Sequence, residues 1–210
     1  MTGSSKHLRL GVLASGGGRT LENLVELSRS GGLLGEVVQV ITNRRDAYAL
    51  ERAVRHGIPS GCVRPADYES EEAFGRAIGE RLEEARVDLA LLAGYLVRLP
   101  LPREWRGRVM NIHPALLPAF GGKGFYGHHV HEAVLAAGAK ITGCTVHFVD
   151  DEYDHGPIIV QRAVPVRFED SADDVAARVF EEEKVAYPEA INLYAEGRLK
   201  IHGGRVMVLP

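Results

Sequence analysis

The chain has 210 residues, of which 45% are hydrophobic and 25% are charged, and its formal net charge is −3 at pH 7. These proportions are typical of a globular protein and exclude a disordered or membrane-embedded chain. Because there is no basic surplus to displace counterions, a dedicated nucleic-acid-binding protein is not expected.

Apolar runs alternate with amphipathic stretches through the first half of the chain. In chain order, the patterns predict a strand at 7–15, a helix at 20–29, a strand at 36–42, a helix at 46–56, a short strand at 61–64, a helix at 70–85, and strands at 88–93 and 108–112. This alternation predicts an α/β fold with a Rossmann-like, mostly parallel twisted sheet flanked by helices.

The second half has a different character. It is predicted to contain a glycine-rich loop at 121–127, a short helix at 130–137, two antiparallel strands at 141–149 and 158–166, a long helix at 171–196 and a terminal hairpin at 200–208. Ser171 followed by Asp174 resembles a capping box at the start of the long helix. The prediction is one domain, 1–210, with an antiparallel C-terminal extension.

Two cysteines are too few for a disulfide framework or a four-cysteine zinc site, and Cys144 lies in an apolar run as a small core residue. No apolar run reaches 18 residues, and residues 1–7 lack the apolar centre of a secretory signal. We therefore expect a cytoplasmic protein that does not enter a membrane.

The first glycine cluster, SGGGRT at 15–20, lies between the first strand and the first helix. Backbone amides at the positive end of a helix dipole suit a phosphate group. The dinucleotide fingerprint is not met because Leu21 stands where its third glycine belongs, and no Gly-Lys-Ser/Thr sequence completes a P-loop. A monophosphate therefore fits better than a dinucleotide. Arg44 and Arg45 follow the second strand, however, and keep a non-catalytic NADP-binding module as an alternative.

The second motif is Asn111-Ile112-His113-Pro114, at the carboxyl end of a predicted parallel strand, where open α/β sheets bind ligands. Residues two apart in a strand share a face, so Asn111 and His113 should meet one ligand. An amide donor can stabilise a developing oxyanion, and an imidazole can transfer a proton near neutral pH. This pair therefore indicates acyl transfer.

An acidic loop at 150–157 separates the two later strands, and one of its carboxylates is expected to orient or charge His113. Its spacing does not match an EF-hand. Histidines at 128, 129 and 131 lack the spacing of a zincin motif, because Leu135 replaces its second histidine. No metal is predicted, and the glycine-rich loop is expected to be mobile over the active site.

Five segments in this order, SGGGRTL (15–21), LAGY (92–95), NIHPALLP (111–118), GCTVHFV (143–149) and DHGPIIVQ (154–161), resemble the phosphoribosylglycinamide formyltransferases, a folate-dependent formyltransferase family of purine biosynthesis. The match extends over nearly the whole chain. It implies that 10-formyltetrahydrofolate is the co-substrate and that the primary amine of glycinamide ribonucleotide receives the formyl group. A formyltransferase acting on another amine, such as a sugar nucleotide, is the enzymatic alternative.

The resemblance also implies roles for individual residues. Asn111 would polarise the formyl oxygen, His113 would transfer protons, and Asp154 would hold the imidazole and raise its pKa. Residues 1–110 would form the phosphate-binding half and residues 111–210 the catalytic and folate-binding half. The remaining implied residues bind the substrate (Gly18, Arg19, Thr20 and Glu183) or the folate (Tyr95, Leu96, Val97, Arg98, Leu99 and Asn111). Glu71 stands where relatives carry a folate-binding arginine.

Overall fold

In the computed structural model, residues 6–100 and 102–210 are described. Of the N-terminal stretch interpreted above as lacking a secretory signal, residues 1–5 lie outside the described residues. The chain forms two compact units that meet in sequence at the peptide bond between Met110 and Asn111. Within the described ranges, no helix is long and apolar enough to cross a membrane.

The first unit is built from βαβ elements. Its strands are β1 (Leu8–Ala14), β2 (Gly35–Thr42), β3 (Ser60–Cys62), β4 (Leu89–Leu92) and the beginning of β5 (Val109–His113). Its helices are α1 (Arg19–Ser30), α2 (Tyr48–His56) and α3 (Glu71–Glu84). Strand β1 pairs in parallel with β2 and β4, and β2 pairs in parallel with β3. The predicted parallel sheet is therefore present.

The burial of these strands explains why their sequences are continuous apolar runs. Every residue of β4 is buried, and so is every residue of β1 except Arg9, as expected where helices cover both faces of a parallel sheet. Helix α3 packs closely in this unit: a Cβ on Gly75 would lie 1.8 Å from the carbonyl oxygen of Pro100. Only glycine therefore fits at this crossing of helix and backbone.

The second unit contains the end of β5 and the antiparallel extension. Its other elements are α4 (His128–Ala136), β6 (Ile141–Phe148), β7 (Ile158–Pro165), α5 (Ala172–Ala195), β8 (Leu199–His202) and β9 (Arg205–Val208). Strands β6 and β7 are antiparallel, and β8 and β9 form the predicted hairpin. The capping box is confirmed: the Asp174 amide donates to Ser171 Oγ, and the Ser171 amide donates to Asp174 Oδ2.

The large sheet has the strand order β3-β2-β1-β4-β5-β6-β7. This mostly parallel sheet with flanking helices and an antiparallel end is the predicted fold class. The glycine cluster follows the carboxyl end of β1, and Asn111 and His113 lie at the carboxyl end of β5. The fold thus presents both predicted motifs where open α/β sheets bind their ligands.

Candidate active site

Strand β5 places Asn111 and His113 on the same side of the chain in the second unit. The strand has the burial expected of a core element, and the His113 side chain is almost completely buried. Asn111 is half-buried. The predicted amide and imidazole are therefore both present at the end of β5, where each lies near Asp154.

The imidazole of His113 is held on both sides. Its Nε2 donates to the carbonyl oxygen of Phe120 at 2.8 Å, and its Nδ1 lies 3.5 Å from Asp154 Oδ2. A carbonyl oxygen can only accept, so the proton of the neutral ring lies on Nε2. The neutral ring therefore gains and loses its second proton at Nδ1, the nitrogen next to the Asp154 carboxylate.

Asp154 joins strand β5 to the glycine-rich loop. Its Oδ1 accepts from Asn111 Nδ2 at 3.2 Å, and its Oδ2 accepts from the Gly122 amide at 2.9 Å. Burial alone would raise the pKa of Asp154, but the hydrogen bonds to the carboxylate and its electrostatic interactions with His113 and His147 outweigh it and hold the pKa below its usual value. The carboxylate is therefore ionised at neutral pH.

The backbone around this carboxylate is strained. Asp154 and Phe120 both have φ of 54°, in the left-handed region that side chains other than glycine rarely adopt. Gly121 follows Phe120 in the chain and lies against Asp154: a Cβ there would approach Leu117 Cδ2 to 2.3 Å and Asp154 Cβ to 3.3 Å. Such strain costs on the order of 1–3 kcal/mol per residue and is found most often at active sites.

A fourth residue, His147 on β6, belongs to this cluster and was missed by the sequence analysis. Its Nδ1 donates to the Phe148 carbonyl at 2.8 Å, which leaves Nε2 to accept from Asn111 Nδ2 at 3.0 Å. His147 thereby fixes the orientation of the Asn111 amide. The available signal was a histidine within the buried, otherwise apolar run GCTVHFV, where a polar side chain needs a partner.

Asp154 acts to raise the pKa of His113, as predicted, but the net shift of that pKa is in the opposite direction. Burial lowers the pKa of His113 below its ordinary value, although the charge of Asp154 and the hydrogen bond to Phe120 act to raise it. Desolvation penalises the imidazolium more than one carboxylate at 3.5 Å compensates. The resting ring is therefore neutral at pH 7 and is ready to accept a proton rather than to donate one.

The glycine cluster in the first unit forms the turn into α1. Gly18 precedes the helix with φ of 70°, and no side chain caps the first turn. The backbone amides of Gly17, Gly18 and Thr20 have no protein acceptor among the described residues. Arg19 is exposed and Thr20 is half-buried. This is the geometry of an anion site at a helix N-terminus.

The predicted folate segment follows β4. Tyr95 and Leu99 are buried, Leu96 and Arg98 are exposed, and Val97 is half-buried. The amide of Leu96 donates to Ser15 Oγ at 2.9 Å, which fixes the start of the segment. Burial raises the pKa of Tyr95 well above its ordinary value, and within residues 6–100 and 102–210 its hydroxyl has no hydrogen-bond partner.

Arg98 forms an ion pair with Glu71, with Nη1 2.7 Å from Oε2. The acidic residue at position 71 therefore holds a cation of the predicted folate segment.

Arg44, on which the NADP alternative depends, is bound by both carboxylate oxygens of Asp46 at 3.1 and 2.8 Å. That guanidinium is engaged within its own turn rather than presented to a ligand phosphate.

Glu183 is half-buried on α5, and its charge acts on the buried side chains Cys144 and Tyr187. Burial raises the pKa of the Cys144 thiol to about 12, as expected for an inert core residue. Over the described ranges, no group of three or more His, Cys, Asp or Glu side chains is arranged to hold a metal ion.

The model of the formyl transferase family matches residues 8–191. Phosphoribosylglycinamide formyltransferase of Escherichia coli (strain K12) is 38% identical over 91% of this chain and 89% of its own length. The chloroplastic phosphoribosylglycinamide formyltransferase of Vigna unguiculata is 42% identical over 91% of this chain, which spans 62% of that longer relative.

The fold agrees with these relatives. The crystal structure of glycinamide ribonucleotide transformylase 1 from Symbiobacterium toebii is 45% identical, with a TM-score of 0.89 over 97% of this chain and 95% of that one. The resemblance identified from the five ordered motifs is thus confirmed. On the family match, the identity and the fold, this chain belongs to the formyl transferase family.

Proposed function

We propose that the protein transfers the formyl group of 10-formyltetrahydrofolate to the primary amine of glycinamide ribonucleotide, in purine biosynthesis. The products are formylglycinamide ribonucleotide and tetrahydrofolate. The observation that carries the proposal is the cluster of Asn111, His113 and Asp154 at the end of β5, in a chain whose relatives are named for this reaction.

The reaction needs one new bond, one broken bond and one proton relocated. The amine attacks the formyl carbon, the carbonyl oxygen becomes an oxyanion, and the bond to N10 of the folate breaks. The attacking nitrogen must lose a proton, and the departing nitrogen must gain one. A neutral imidazole that accepts the first proton and returns it to the folate satisfies this balance without a covalent intermediate.

Each polar atom of the cluster has a place in that sequence. His113 takes the proton at Nδ1, and the nearby Asp154 carboxylate stabilises the imidazolium formed. One N–H of Asn111 stays bonded to His147, while the other, which points at Asp154 at 3.2 Å, can donate to the formyl oxygen as it becomes charged. The lowered pKa of His113 suits the first step, because the ring begins as a base.

The remaining predicted residues are assigned to binding. The amides at Gly18, Arg19 and Thr20 are proposed to hold the ribonucleotide phosphate, and Glu183 to lie near the glycinamide end. Residues 95–99 and Asn111 are each proposed to contact the folate. The buried Tyr95 ring and the Leu99 side chain supply apolar surface of the kind that a flat pteridine requires.

The test is a substrate panel. Purified protein with 10-formyltetrahydrofolate should release tetrahydrofolate when glycinamide ribonucleotide is present, at a rate at least about 10² above a His113→Ala control. Formylation of a sugar-nucleotide amine instead would assign the alternative acceptor, and formate release without any amine would indicate hydrolysis. Absence of turnover above the control with every acceptor would refute the proposal.

A further inference from the structure

The phosphate loop (residues 16–18) is fastened to helix α2 through its carbonyl oxygens. The Ala49 amide donates to the Gly16 carbonyl at 3.1 Å, and Arg52 Nε donates to the Gly17 carbonyl at 2.8 Å. Gly18 packs against the same helix, since a Cβ there would lie 3.0 Å from the backbone of Ala49. Two successive peptide units of the loop therefore have their oxygens turned toward α2.

This orientation determines where the loop amides point. In a trans peptide the N–H lies opposite the C=O, so the amides of Gly17 and Gly18 face away from α2. Neither has a protein acceptor in the described part of the chain. Together with the uncapped first turn of α1, they form a concave set of donors of the kind that binds a phosphate.

Arg52 is itself fixed in place and does not present its charge to a ligand. Its Nη1 is paired with Glu22 of α1, and the other oxygen of Glu22 lies 2.6 Å from His56 Nε2. The guanidinium also lies 5.2 Å from the centre of the Tyr48 ring. Its side chain is 21% exposed, with the bond to Glu22 partly buried and the bond to the Gly17 carbonyl at the surface.

We propose that Arg52 is a positioning residue for the phosphate-binding loop. It ties the Gly17 carbonyl to α2 while Glu22 holds the guanidinium, and so keeps the Gly17 and Gly18 amides aimed at the ligand phosphate. Arg52 acts through the loop and does not contact the reacting atoms. The inference rests on the proposed function for the identity of the substrate, but the phosphate-binding role can be measured without turnover.

Arg52→Met removes both hydrogen bonds and keeps much of the side-chain volume. Arg55→Met is the matched control. Arg55 lies on the same helix and against the same Tyr48 ring, 5.3 Å from its centre, but among the described residues it hydrogen-bonds only the Tyr48 hydroxyl. The probes are glycinamide ribonucleotide in steady-state assays and ribose 5-phosphate in calorimetry. Arg52→Lys keeps the charge without the fork that reaches Gly17 and Glu22 together.

For Arg52→Met, the KM for glycinamide ribonucleotide and the Kd for ribose 5-phosphate should each rise about tenfold, the effect of losing a charge-assisted hydrogen bond. The kcat and the KM for the folate should change less than about twofold, and Arg52→Lys should lie between Met and wild type. Arg55→Met should resemble wild type. If Arg52→Met does not fold, the Kd of Arg52→Lys for ribose 5-phosphate tests the inference instead.

Equal affinity of wild type and the Arg52 variants for ribose 5-phosphate would overturn the inference, even if the protein formylates glycinamide ribonucleotide. A fall in kcat with unchanged KM would overturn it as well. Conversely, a protein that does not formylate the ribonucleotide but loses ribose 5-phosphate affinity on Arg52 substitution would support the inference while refuting the proposed function.

Discussion

The two compact units present chemically different sites. The proposed phosphate site of the first unit is made of backbone amides, with Gly18 in the left-handed region and Arg52 behind the loop. The proposed catalytic site of the second unit is made of side chains, with His113 and Asp154 at its centre. Amides do not titrate, whereas the imidazole does, so binding and chemistry should respond differently to substitution and to pH.

The largest effects are expected in the side-chain site. His113→Ala removes the proton carrier and Asn111→Ala removes the oxyanion donor, so each should lower kcat by at least about 10², or about 2.7 kcal/mol of barrier. The KM for glycinamide ribonucleotide should stay within about threefold of wild type. Steady-state kinetics test this, with His202→Ala on the exposed terminal hairpin as the control. Full activity of either active-site variant would disprove the assignment.

An intermediate effect is expected in the backbone site. Gly18 and Gly31 lie at opposite ends of α1 with φ of 70° and 80°. Alanine at either should cost about 1–2 kcal/mol of unfolding free energy, since both lie in the left-handed region. Only at Gly18 would the added Cβ also clash with Ala49 and displace the loop. Gly18→Ala, but not Gly31→Ala, should therefore raise the KM for glycinamide ribonucleotide about tenfold. Equal KM values for the two variants would show that the loop does not take part in substrate binding.

A smaller effect concerns stability and pH. Burial lowers the pKa of His131 to about 4, and no partner within the described residues binds its Nδ1. Between pH about 6.5 and about 4, His131 is therefore protonated in the unfolded chain but not in the native protein. The free energy of unfolding consequently falls as the pH falls through that range. His113 acts in the same direction because its pKa is also lowered.

His131→Leu removes this titrating side chain. It should reduce the loss of unfolding free energy between pH 7 and pH 5 by about 1–2 kcal/mol. Urea unfolding at the two pH values measures the change, and His202→Leu controls for the removal of a histidine from an exposed position. An unchanged loss of stability in His131→Leu would show that the buried ring is not the responsible group.

Local patterns were sufficient to predict the elements and much of the site. Alternation of apolar and amphipathic stretches predicted the parallel sheet, and the two-residue period of a strand predicted that Asn111 and His113 share a face. The antiparallel pair β6–β7 followed from two β-branched runs separated by a short loop. These features depend on residues close together in the chain, so the sequence determines them directly.

Features that depend on distant residues were not predictable in the same way. His147 lies 36 positions from Asn111, and Arg52 lies 35 positions from Gly17, so neither contact has a signature within its own segment. The net direction of the His113 pKa shift was not predictable for a related reason. The charge of Asp154 could be anticipated, but the extent of desolvation depends on the packing of the whole cluster.

The division between a binding loop and a catalytic cluster is tested most directly by the steady-state kinetics of Asp154→Asn. The substitution keeps the shape but removes the charge beside His113, so kcat should fall about 10² with the KM for glycinamide ribonucleotide within about threefold. Glu152→Gln, an exposed residue of the same acidic loop, should behave as wild type. A wild-type kcat for Asp154→Asn would contradict the account.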